Sequence, residues 1–255
     1  MSVERGGYLE SHLEKKELSP EDQIRTYESH KKLSESLDGV DYKDKGDISL
    51  EKDNLVISFS YRSPKPEDVS GLNQDFLQER QIDASQLRLL DDVSIGKKDD
   101  SKTINVLEDL PIGYKIIFIP KDKTIFGGNA DVEYKTIYIW GSLARPKIIL
   151  NLLHEIGHSI DYEQIEEKKD KEYFINSYKA MNRANDQNPT KKNLEEVLKR
   201  ERNAWAFALS KVKPILGRDG LSKDDVRSFI HHALSSYSDI IRQRIELGLY
   251  GPLAK

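Results

Sequence analysis

The segment "HEIGHSID", His154 to Asp161, sets two imidazoles, two carboxylates and a glycine within eight positions, directly after the apolar run "IILNLL". On a helix, His154 and His158 lie four residues apart and project within about 40° of each other. Their ring nitrogens can therefore meet at one metal ion; neutral imidazole binds Zn²⁺ at about 2.0–2.1 Å. Glu155 points about 100° away, too far round to be a neighbouring ligand. It can instead reach a water on that metal. The simpler alternative is a half-exposed amphipathic helix whose polar face happens to hold His and Glu. Against it, this face lacks the usual Lys and Glu pairs of a solvated helix.

A catalytic zinc site needs a third protein ligand and keeps a fourth position for water. There is no cysteine to serve. No third histidine follows the glycine, since Asp161 and Gln164 occupy the nearby positions. In "TKKNLEEVLKRERNAWAFALSKVKPIL", residues Leu194, Val197, Leu198, Ala204, Trp205, Ala208, Leu209 and Val212 form one apolar helix face, with Glu201 in its middle. A carboxylate aimed into a core costs several kcal/mol unless it is paired or binds metal. Glu201 is therefore either the third ligand or half of a buried ion pair with Arg200 or another base. It lies 43 positions after His158, room for one intervening helix, and "KEYFINSYKAMNRAN" supplies that helix.

These helices need a scaffold. "NLVISFSY" (Asn54 to Tyr61) alternates as a half-buried strand does, and "YKIIFIP" and "KTIYIW" read as two strands around the turn-rich "KDKTIFGGNAD". From Arg145 onward the pattern is helical. Strands followed by helices indicate an α+β class. A further helix is expected near the N-terminus, with Ser19 as its N-cap and Pro20 and Glu21 in its first turn. The charged "GKKDDSK" suggests a division into an accessory region, residues 1–100, packed on a catalytic domain, residues 101–255.

The spacing H-E-x-x-H is the arrangement of zinc metallopeptidases. "HEIGH" followed by "ERNAWAFA" resembles the gluzincin clan. The E-x-x-A-x-x-F-A pattern (Glu201, Ala204, Phe207, Ala208) is similar to the ImmA/IrrE-type family, and "HEIGHSID" to anthrax-lethal-factor-type catalytic domains. The only methionines, Met1 and Met181, offer no Met-turn, which separates the chain from the metzincin branch. The resemblance covers roughly residues 113–215. It implies a zincin-like fold: a small twisted mixed sheet over an active-site helix, then a helical subdomain supplying Glu201. It implies one Zn²⁺ on His154, His158 and Glu201, with Glu155 as general base. An extended peptide would pair with an edge strand in which Asn129 and Ala130 resemble the Asn-Ala of thermolysin-type enzymes. The aspartate such enzymes place four residues after the third ligand is replaced by Trp205, which reads as core together with Tyr138. Asp161 could orient a ligand histidine or tie down an arginine, or be a helix-surface carboxylate. Oxyanion donors would come from His231, His232, Tyr237 or Tyr162, although a structural helix-face role suits the adjacent histidines as well. Gly157 either marks a close backbone approach or is simply tolerated.

The remaining features bound the function. The chain has 255 residues, enough for a substantial core, with 37% hydrophobic and 33% charged residues and a formal net charge of −4. No basic patch with interleaved aromatics occurs, so nucleic acid is not expected as a partner. No apolar window approaches the roughly 20 residues that span a bilayer. The N-terminal stretch lacks the apolar core of a signal peptide, and the absence of cysteine suits a cytoplasmic location. His12 and His30 sit in charged sequence and read as solvated. The expectation is a zinc-dependent endopeptidase acting on a peptide or protein. The alternatives are an inactive metal-binding regulator and an effector protease specific for one protein.

Overall fold

The computed structural model describes residues 45–52, 55–97, 103–120, 127–141, 143, 147–181, 190–215, 222–224, 226–231 and 233–235. The expected N-terminal helix and His12, His30, His232 and Tyr237 lie outside these residues.

The architecture is α+β. Seven strands form one mixed sheet: β1 (Lys45–Lys52), β2 (Leu55–Arg62), β3 (Arg88–Lys97), β4 (Thr103–Asn105), β5 (Lys115–Pro120), β6 (Gly127–Asp131) and β7 (Thr136–Gly141). The order is β1-β2-β3-β5-β7-β6, with β4 attached to β3. β5 and β7 run parallel; every other pairing is antiparallel. Alternation in β2 places Leu55, Ile57, Phe59 and Tyr61 inside. The "GGNAD" half of the turn-rich segment is itself a strand, and among the described residues it pairs only with β7.

β3 was not evident from periodicity, and its geometry explains why. Opposite Ser60 and Tyr61 the register slips, so that Asp92 pairs with Ser60 and Leu90 with Tyr61, leaving Asp91 as an extra residue. Such a bulge breaks the period of two. Leu87, Leu89 and Leu90 are buried before it and Val93 and Ile95 after it.

Two short helices, α1 (Pro66–Ser70) and α2 (Gln74–Glu79), cover one face of the sheet. There Leu72, Leu77, Leu87 and Leu89 pack with Ile117, Ile119 and Tyr138, and Phe76 stacks on Tyr138 at 4.3 Å. The alternate residues of β5 and β7, Ile116, Phe118, Ile137 and Ile139, are equally buried on the other face. That face carries α3 (Lys147–Glu163), which packs on β6 and β7. Helices α4 (Lys168–Met181) and α5 (Lys191–Val212) pack beyond it; α5 begins at an N-cap, Thr190, whose side chain accepts from the Asn193 N–H. Among the described residues no helix is long and apolar enough to cross a membrane.

Strands β1 to β3 thus extend the sheet that carries α3. A fragment starting at residue 101 would lose them, expose the flank of β5 and uncover Ile117, Ile119 and Tyr138, on which the lost leucines pack. We expect it to be insoluble, as judged by sedimentation and circular dichroism. A soluble, folded fragment would show that the C-terminal strands and helices form a self-sufficient core.

Candidate metal centre

Helix α3 differs from the half-exposed helix its wheel suggested. Residues Ile148 to Ser159 are all buried, the histidine face included. That face is roofed by α5, and the approach of the two helices is set by Gly157. A Cβ on Gly157 would lie 2.8 Å from the Ala204 Cα and 2.9 Å from the Ala204 carbonyl oxygen, closer than atoms can pack. The glycine is therefore required by a neighbouring backbone, and Ala204 is the small residue opposite it. Glu201 sits almost one turn before Ala204, which carries its carboxylate over His154 and His158.

The three side chains converge. Their ligand atoms lie within 4.8 Å of one another, all buried. The Nε2 atoms of His154 and His158 are 3.0 Å apart. Glu201 Oε2 is 3.2 Å from His154 Nε2, and Oε1 is 3.3 Å from His158 Nε2. A tetrahedral Zn²⁺ with bonds of about 2.0–2.1 Å separates its ligand atoms by roughly 3.3 Å, close to the distance between the two imidazole nitrogens and to that from each of them to one of the Glu201 oxygens. A second observation agrees. Glu201 Oε2 is buried without a hydrogen bond, near His154 Nε2 but not aligned with it. The donor set, two imidazoles and a carboxylate, suits a divalent metal ion such as Zn²⁺.

The charges in this pocket are balanced among its own residues. Burial and the neighbouring His158 lower the His154 pKa to about 4. For His158, burial acts in the same direction but is outweighed by Glu201, Glu155 and Asp161, and the net shift is upward. Glu201 is held well below the usual carboxylate range, because the two histidines overcome its burial. Without metal, Glu201 is thus favoured as the carboxylate, and His158 rather than His154 is the imidazole disposed to take a proton beside it. A cation would take the place of that proton.

Glu155 stands beside the triad. Burial pushes its carboxyl up to about 7, with His158 and a hydrogen bond from the Ala130 main chain working against the rise. It is wedged against the edge strand, since a Cβ on Gly128 would lie 2.6 Å from Glu155 Cγ and Oε1. Asn129 and Ala130, half-buried, follow in the same strand.

Of the roles the sequence left open for Asp161, the structure shows the contact with an arginine. Asp161 does not touch the imidazoles; its Oδ1 accepts from Arg200 Nη1 at 3.0 Å and Asn203 Nδ2 at 3.3 Å, tying α3 to α5. Arg200 is further held by Glu196, so the Arg200–Glu201 ion pair does not form. Tyr162 turns to Phe174, edge-on at 5.5 Å, beneath Lys171. His231 is exposed.

Two residues at the centre were not assigned to it from sequence. Tyr178 of α4 donates from its hydroxyl to Glu201 Oε1 at 3.1 Å and sits 3.5 Å from His158 Nδ1. Trp205, expected as plain core, is buried but lies flat on His154, ring centroids 4.0 Å apart and planes within 24°. Its signal was available: four residues after Glu201 it faces the same way.

The raised Glu155 pKa has a measurable consequence. The folded state holds this proton more tightly than the unfolded chain, whose carboxyl titrates near 4.5. Its contribution to stability is full below pH 4.5 and is lost as pH rises through 7. Glu155→Gln removes that loss. In chelator, the variant should match the wild type near pH 4.5 and exceed it by about 3 kcal/mol at pH 8 in denaturant unfolding. A gap independent of pH would show that the Glu155 carboxyl is not perturbed by its burial.

No family model, no curated protein and no solved structure matches the chain.

Proposed function

We propose that the protein is a zinc-dependent endopeptidase of the gluzincin type, built on a zincin-like fold. The observation that carries this reading is the buried convergence of His154, His158 and Glu201 with Glu155 placed between that triad and a sheet edge.

His154, His158 and Glu201 would hold Zn²⁺, which when bound supplies a Lewis acid that acidifies water and polarises a carbonyl. The remaining steps belong to side chains and backbone. Glu155, with a carboxyl near neutrality and almost no solvent around it, accepts the proton of the attacking water and passes it to the leaving nitrogen. Binding of a cation would bring its pKa back down and favour the basic form. Tyr178 holds Glu201 by the hydrogen bond to Oε1, leaving Oε2 for the metal.

Strand β6 supports the choice of substrate. It is the last strand on its side of the sheet among the described residues, and Glu155 rests against it. An extended peptide pairing with the outer main chain of β6 would pass beside Glu155, with its scissile bond towards the triad. Asn129 and Ala130 lie in this strand, the place an edge-strand role requires.

The test is hydrolysis of a proteome-derived peptide library by the zinc-loaded full chain. We expect cleavage that stops in chelator, and a loss of about 10²–10⁴-fold in Glu155→Gln with zinc content unchanged. Full activity in that variant would remove Glu155 from the chemistry. Absence of cleavage by the wild type with zinc bound would favour a metal-binding regulator.

A further inference from the structure

Two adjacent imidazoles of one site are held by different means. A histidine that binds metal ordinarily donates its second N–H to a carboxylate, a carbonyl or water, and that bond fixes the ring and strengthens the ligand. His158 has the Tyr178 hydroxyl near its Nδ1, at 3.5 Å. His154 has nothing comparable: its Nδ1 is buried without a hydrogen-bond partner.

What His154 has is an aromatic face. Trp205 stacks on it at 4.0 Å and 24°, and the edge of His158 closes from another side at 4.4 Å. The indole is not oriented by a hydrogen bond either, since Nε1 is buried and unpartnered. It is wedged by packing, with Phe229 edge-on at 5.5 Å. Stacking fixes the plane of a ring but accepts no proton.

Resting on the reading of His154 as a metal ligand, we propose that Trp205 is a positioning residue. It holds His154 in the ligand orientation by face stacking, where a hydrogen-bonding residue would otherwise act on Nδ1. Two consequences follow. The aromatic face at position 205, rather than its bulk, sets the metal affinity. Trp205 also reports metal binding optically, because its stacking partner changes its bonding when metal binds.

The experiment measures zinc dissociation constants of the full chain by competition with a chromophoric chelator, for wild type, Trp205→Phe and Trp205→Leu. Melting temperatures in chelator accompany them. Phenylalanine keeps a face; leucine keeps apolar bulk only. The Phe variant should bind zinc within about threefold of the wild type, and the Leu variant about 10–100-fold more weakly, the range seen when a ligand's support is removed. Equal affinity in the two variants would overturn the proposal. Should the Leu variant fail to fold, tryptophan emission decides. The chain has two tryptophans. Zinc should change the emission of the wild type and not that of Trp205→Phe, where only Trp140 remains. An equal response in both would overturn the proposal. A wild type with no zinc affinity would instead refute the ligand reading, whatever stands at position 205.

Discussion

The site depends on one steric constraint, the contact of α3 with α5 at Gly157 and Ala204. The backbone of Ala204 occupies the space a side chain at 157 would need. This contact brings Glu201 onto two histidines of another helix. A methyl group at 157 would push the helices apart and lengthen the distances from Glu201 to both histidines. The Asp161–Arg200 bridge and the Arg200–Glu196 bond brace the same crossing from its rim. Below, strands β6 and β7 carry α3, and Ile137 and Ile139 of β7 are fully buried.

Closing the helices in this way buries four ionisable side chains, His154, Glu155, His158 and Glu201. Desolvation of charge is unfavourable, and the protein limits it by pairing. Glu201 is stabilised as an anion by the imidazoles, and its charge raises the proton affinity of His158. For Glu155, His158 and the Ala130 main chain do not offset burial, and its pKa rises. The same burial that destabilises its charged form makes it a base suited to neutral pH, so the folded state carries strain where the chemistry is proposed to occur. Metal binding relieves part of that strain by placing positive charge among groups already arranged to receive it.

Much of this was legible in the sequence, and the physical reasons differ by element. The pairing of His154 with His158 depends only on helical periodicity, which is local. Glu201 stood out because a carboxylate interrupted an apolar stripe on a single helix. Strand β2 was visible in its alternation, whereas β3 was hidden by the bulge at Asp91, where period two fails. Strand β6 was obscured by glycines, which here make room for Glu155 and the Trp140 ring. The facing of Trp205 follows from its place four residues after Glu201, whereas Tyr178 could not be read from periodicity, because its contacts arise where separate helices meet. The same holds for Arg200, whose partners include a residue on α3 nearly forty positions away.

The central claim is that His154, His158 and Glu201 bind one metal ion together. X-ray absorption at the zinc edge of the zinc-loaded protein tests it most directly. The account predicts a first shell of about four nitrogen and oxygen atoms near 2.0–2.1 Å, with outer-shell scattering from two imidazoles. A six-oxygen shell without imidazole scattering would contradict it.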